Sequence, residues 1–187
     1  MCAFKQTVSE SEVAMSKTSI CGSLCLAAVL SVVVIPAEAG KAAASPAPAV
    51  EAERVYNEQD YARAMELALP LAEAGNADAQ YLVARMYERG EGVPVDKAKV
   101  LTWYRKSAEG GNAKAQYKLG AGYAMGFTGL QQSNEKAKKW IRMSAEQGYN
   151  KAQKVLAYAY QKGLYGFPKD EEKAQYWFKE AEKKTIK

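Results

Sequence analysis

The chain has 187 residues, 48% of them hydrophobic and 25% charged, with a formal net charge of +5. That balance suits one ordinary globular domain with a real core and disfavours both disorder and coiled coil. There is no histidine, and the three cysteines, Cys2, Cys21 and Cys25, all lie near the amino terminus. A mature chain without that stretch therefore has no disulfide, no cysteine or histidine metal site, no cysteine nucleophile and no histidine base.

In chain order, residues 20–35 (ICGSLCLAAVLSVVVI) carry no charge, follow Lys17, and run into Pro36-Ala37-Glu38-Ala39 before Gly40. This predicts a secretory signal peptide over 1–39, cut after Ala39. The apolar run is short for a membrane span of about 20 residues, so contact with the membrane is expected only through the signal peptide. Leu24 before Cys25 and Ile20 before Cys21 are too large for a lipoprotein cleavage site. Residues 1–14 lack a signal's positive lead while Met15-Ser16-Lys17 supplies one, so translation is expected to start at Met1 or Met15. The expected location is periplasmic or secreted. Residues 40–50 (GKAAASPAPAV) hold nothing bulky before Val50 and read as a flexible tether.

Residues 51–187 contain a repeat. One block runs Ala79, Val83-Ala84, Tyr87, Gly90; the next Ala115, Leu119-Gly120, Tyr123, Gly126; the third Ala152, Leu156-Ala157, Tyr160, Gly163. A second block follows each, anchored by Trp103, Trp140 and Trp177, which are 37 residues apart. Apolar offsets of three and four without alternation predict two helices per unit. Gly90, Gly126 and Gly163 suit left-handed caps, and Asp96, Ser133 and Asp170 suit N-caps of the second helices. Upstream, Tyr61 to Gly75 aligns with a second helix alone, which Pro70 is expected to kink, and a helix from about Val50 to Glu58 completes the pair. The expected units are a cap at 51–75, then 76–111, 112–148 and 149–187.

The motif set, strongest in NADAQYLVARMYERGEGVPVD and NAKAQYKLGAGYAMG, resembles the Sel-one-like repeat (SLR) family, cousins of the tetratricopeptide repeat. The resemblance covers roughly residues 55–182, with Val100 and Ser133 as departures from its usual alanine and acidic cap. It implies an all-α fold, a right-handed α-solenoid of antiparallel helix pairs with a concave groove, and a role as adaptor in assemblies, often in bacterial envelopes. The residues agree independently, because one helix pair cannot bury both of its faces and stacking supplies the missing core.

Several features invite sharper readings. The three tryptophans resemble a ligand-stacking ladder, but each shares a face with small residues three before and four after, which reads as core packing, with Trp140 expected to contribute most to stability. Ser133-Asn134-Glu135-Lys136 matches S-x-x-K, yet Ser133 stands at a cap position and the partner motifs are absent. Asp170-Glu171-Glu172 complements a helix dipole rather than forming a calcium loop.

Charge is uneven, with 5 Lys+Arg against 10 Asp+Glu over 40–96 and 19 against 8 over 97–187, giving 5 − 10 = −5 and 19 − 8 = +11. Such polarity favours an anionic partner at the C-terminal end, and outside the cytoplasm nucleic acid is not expected. With first helices lining the concave side, one stripe faces the groove: Asp78, Tyr81, Arg85, Glu88 and Arg89; Lys114, Tyr117, Ala121, Ala124 and Met125; Lys151, Lys154, Tyr158, Gln161 and Lys162. The expectation is a non-catalytic scaffold without cofactor or metal that binds a protein or peptide, its acidic residues towards the C-terminal end of the groove. Replacing Tyr81, Tyr117 and Tyr158 by alanine is expected to leave melting nearly unchanged. Two rival readings are an envelope protein that binds or hydrolyses peptidoglycan, with Glu88 or Glu91 as acid and base, and a secreted factor acting on a host.

Overall fold

The computed structural model describes residues 47–127 and 129–183. The expected signal peptide and its cleavage point, and residues 40–46 of the expected tether, lie outside the described residues. The described residues form eight helices and no strand: α1 (Pro48–Asn57), α2 (Tyr61–Glu73), α3 (Ala77–Arg89), α4 (Lys97–Glu109), α5 (Ala113–Met125), α6 (Asn134–Glu146), α7 (Asn150–Lys162) and α8 (Glu171–Lys183). Each helix packs on its neighbours in the chain, so antiparallel pairs stack into an all-α solenoid.

The local sequence explains where the helices begin and end. Pro48 opens α1, where a missing N–H costs nothing, so the helix starts inside the stretch read as tether. Asp60, Asp96 and Ser133 cap α2, α4 and α6 by accepting from backbone N–H groups of the first turn, and Asp170 accepts likewise from Lys173. Asn76 and Asn112 cap α3 and α5 in the same way; the sequence reading had not singled them out. Tyr149, at this position of α7, supplies no side-chain cap. Gly90, Gly126 and Gly163 end the first helices at φ of 73°, 72° and 71°, a conformation that costs a residue with a Cβ. Pro70 does not end α2. The helix continues through it, and the Pro70 carbonyl accepts from Ala74 N–H.

Small residues set the helix spacing. Ala64, Ala68, Ala84, Ala115, Ala137 and Ala152 are fully buried at the contacts. α5 and α6 approach closely, since a Cβ on Gly120 would stand 2.8 Å from Ile141 Cγ1 and 3.0 Å from its backbone nitrogen. The sister helices carry Ala84 and Ala157 here, opposite Tyr104 and Phe178, so glycine matches the branched Ile141. The tryptophans are not the centre of the core. Trp103, Trp140 and Trp177 are half-buried, and in α6 the enclosed side chains are Ala137, Ile141, Ser144 and Ala145. The reason is rotational: Tyr104 and Ile141, the residues after the first two tryptophans, are buried between the helices, while the indole lies along the edge of the core, with Lys106 over Trp103 and Lys139 over Trp140.

A polar seam runs through the stack. Buried Gln80 and Gln116 donate to the carbonyls of Ala72 and Ala108, each tying a first helix to the preceding second helix. Ser107 and Ser144 donate to the first-helix carbonyls of Ala77 and Ala113 at 2.6 Å. The third unit has Ala181 in place of the serine, and there Asn150, standing where the others have alanine, donates back to the Ala181 carbonyl. The bond survives with donor and acceptor exchanged between helices. At the outer face of α8, Glu182 is exposed at the position where Ala108 and Ala145 are fully buried.

Candidate functional site

Ion pairs of Glu53 mark one face of the row of first helices. Packed helices lie about 8–10 Å apart, yet Glu53 of α1 reaches both Arg85 of α3, at 3.9 Å, and Lys114 of α5, at 3.7 Å. Glu53 thus ties α1, α3 and α5 together across the intervening first helix, on the face that carries the expected stripe.

At its α3 end the charged residues are already occupied. Arg85 is largely enclosed, with its guanidinium 4.5 Å from the Tyr56 ring centre and paired with Glu53. Arg89 pairs with Glu91 at 3.6 Å, and Asp78 accepts from Asn112 at 2.7 Å. Glu88 accepts from the Tyr104 hydroxyl at 2.6 Å and from Lys118 at 2.9 and 3.0 Å. Burial pushes the Glu88 carboxyl up, but these bonds and the ammonium charge outweigh it and hold the group below its ordinary value. Burial and the Glu88 bond push the Tyr104 phenol above its ordinary range.

In the middle, Tyr117 is half-buried and packs edge-on against Tyr149, ring centres 5.4 Å apart. Tyr81 is also half-buried, 5.8 Å from Tyr104. Both rings belong to the edge of the core, which corrects the expectation that their loss leaves melting unchanged. Ala124 is buried rather than facing the groove. Met125 is 54% exposed beside Phe127, which is 58% exposed.

At the α7 end the pattern reverses. Lys151, Lys154 and Lys162 are exposed and make no ion pair or hydrogen bond among the described residues. Tyr158 is 53% exposed and rests edge-on against Phe178, ring centres 5.0 Å apart. The stripe therefore holds neutralised charge at one end, apolar surface in the middle and uncompensated positive charge at the other.

Counting offsets within the repeat missed Glu53 and Lys118. Glu53 lies in the degenerate first pair, outside the repeat's register. Lys118 occupies a position that is Leu82 and Val155 in the sister helices, outside the offsets that define the stripe. The carboxylates considered for catalysis are engaged elsewhere: Glu91 accepts from Tyr56, and Glu88 is shifted in the direction opposite to a general acid's need. Among the described residues no three carboxylates gather as a metal site requires, and no helix is long and apolar enough to cross a membrane.

The Sel1 repeat profile matches residues 58–76, 77–112, 113–149 and 150–184. A Sel1 repeat protein from Oxalobacter formigenes is similar in structure, with a TM-score of 0.67 and 33% identity over 73% of this chain and 53% of that one. So is a protective antigen of uropathogenic Escherichia coli with an SLR fold, with a TM-score of 0.64 and 30% identity over 73% of this chain and 30% of that one. The chain thus spans about half the length of the first and under a third of the second. No curated protein matches. Proteins built from these repeats are in general protein–protein interaction scaffolds. Repeats in register through α2–α8, the shared fold and identities of 30% or more place the chain in the Sel1 repeat family.

Proposed function

We propose that this chain is a non-catalytic adaptor, exported to the periplasm or beyond by a signal peptide cut after Ala39. On this reading its concave face binds a protein or peptide whose acidic residues lie against α7. The supporting observation is the contrast between paired and unpaired cations: Arg85, Lys114 and Lys118 have carboxylates within the chain, whereas Lys151, Lys154 and Lys162 have none among the described residues. Uncompensated charge beside exposed aromatic surface steers an anionic partner and fixes its orientation. A pull-down from envelope extract with the native protein as bait, repeated with lysine-to-glutamate changes at 151, 154 and 162, tests this. The expected result is a captured partner whose association slows and loses its salt dependence in the charge-reversed protein. Capture untouched by these changes but lost on altering Arg105 or Arg142 of the second helices overturns the reading. Mass spectrometry of the exported chain, expected to begin at Gly40, tests the location. Likeness to a protective antigen supports a second reading, a secreted or surface-exposed chain meeting a host protein.

A further inference from the structure

The inner face is not uniform along its length. At the groove-facing position where α3 carries Arg85 and α7 carries Tyr158, the central helix α5 carries Ala121, followed by Gly122 where α3 has Met86. Where Ala121 replaces the longer side chains of its sisters there is a hollow of about 400 Å³. Its floor is Ala121 and Gly122, and Tyr117, Met125 and Phe127 add apolar surface. The space under Gly122 is already taken, since a Cβ there would stand 2.9 Å from Leu130 Cδ1, so the hollow opens only towards the groove. Its two edges differ. On the α3 side Glu88 is neutralised by Tyr104 and Lys118; on the α7 side stands Lys151, which has no partner among the described residues.

We infer that this hollow is an anchor pocket for one bulky apolar side chain of a peptide partner, with an acidic residue beside the anchor against Lys151. The inference rests on the concave-face reading and adds to it the residue type selected and the position that selects it. A leucine or phenylalanine side chain fits easily, and one well-buried anchor commonly carries much of an interface's affinity. A cationic neighbour is disfavoured because Lys118 and Lys151 flank the opening. Ala121 is then the specificity determinant of the groove, and its two sister residues show what closes the pocket.

The test uses fluorescence anisotropy on the full chain with a fluorescein-labelled nonapeptide, one phenylalanine followed by two aspartates in a glycine/serine frame. Two further peptides replace the phenylalanine by alanine or both aspartates by asparagine. With the native protein, loss of the phenylalanine is expected to weaken binding about tenfold or more. Ala121→Tyr, which installs the residue of the sister helix, is expected to bind the phenylalanine and alanine peptides equally weakly while keeping its preference for the aspartates. Its unchanged melting curve shows that the fold is intact, and Ala121→Gln is the alternative filler if it melts early. Equal binding of the phenylalanine and alanine peptides to the native protein, with aspartates still preferred, overturns the anchor pocket and leaves the concave-face reading standing. Loss of the aspartate preference as well, or no binding of any peptide, overturns both.

Discussion

Two adjacent residues of α6 separate size from burial. Trp140 is the larger side chain but keeps part of its indole in water, whereas Ile141 is 1% exposed and meets the backbone of α5 at Gly120. Ile141→Ala should cost about 2 to 5 kcal/mol. Trp140→Ala, losing a half-buried ring, should cost about 1 to 3 kcal/mol. Thermal melts of both variants check the order, and a Trp140 variant that is the less stable of the two restores tryptophan as the keystone. The 37-residue spacing of the tryptophans was plain in the sequence, but not which side of the indole met protein. That depends on how far each helix is rotated about its axis, and Trp140 and Ile141 both fit an apolar stripe. Glu88 offers a second check. Its carboxyl lies below its ordinary value in the folded chain, so its contribution is present above the unfolded value of about 4.3 and is lost as pH falls through the lower folded value. Glu88→Gln should therefore be less stable than the native chain near neutrality and should show a flatter loss of melting temperature below about pH 4.

At the scale of helices, the repeats look interchangeable and are not. In the last unit the tie between first and second helix runs from Asn150 to the Ala181 carbonyl, where Ser107 and Ser144 donate in the opposite direction. Asn150→Ala should lower stability by about 1 to 2 kcal/mol by removing the donor. Adding Ala181→Ser, which recreates the pair found in the other units, should return most of it in a double-mutant cycle. Additive losses instead would mean that the bond carries no stability. Helix existence, order and caps were legible because Gly90, Gly126 and Gly163 and the cap residues Asp96, Ser133 and Asp170 recur every 36 or 37 residues. Asn76 and Asn112 were equally visible as caps and were overlooked beside the louder alanine–tyrosine pattern. The partnership of Asn150 with Ala181 was illegible because it depends on two departures from the repeat, 31 residues apart, compensating each other in space.

At the scale of the whole stack, the overall charge of +5 conceals a division of labour. The acidic first half supplies carboxylates that bind cations of the central repeats, while Lys151, Lys154 and Lys162 of the basic last repeat stay uncompensated among the described residues. Sequence counting found the asymmetry, but distinguishing paired from unpaired lysines required Glu53 and Glu88 to be placed in space. The reach of Glu53 has a mechanical meaning. Arg85 and Lys114 are fastened to one carboxylate that bridges α1, α3 and α5, so that opening this face separates all three groups. The pairs with Glu53 are partly exposed, so each is worth only about 0.2 to 1 kcal/mol and is screened by salt. On the proposed reading, the α1 end, held by these pairs, opens less readily than the α7 end, where no ion pair joins first helices among the described residues. Spin labels at positions 50 and 125 should move apart in 1 M salt and in Glu53→Gln, while labels at 125 and 162 should not respond. A long partner would then seat at the α7 end first and spread the α1 end last, so that dissolved ions would control the bore of the groove as well as the rate of entry.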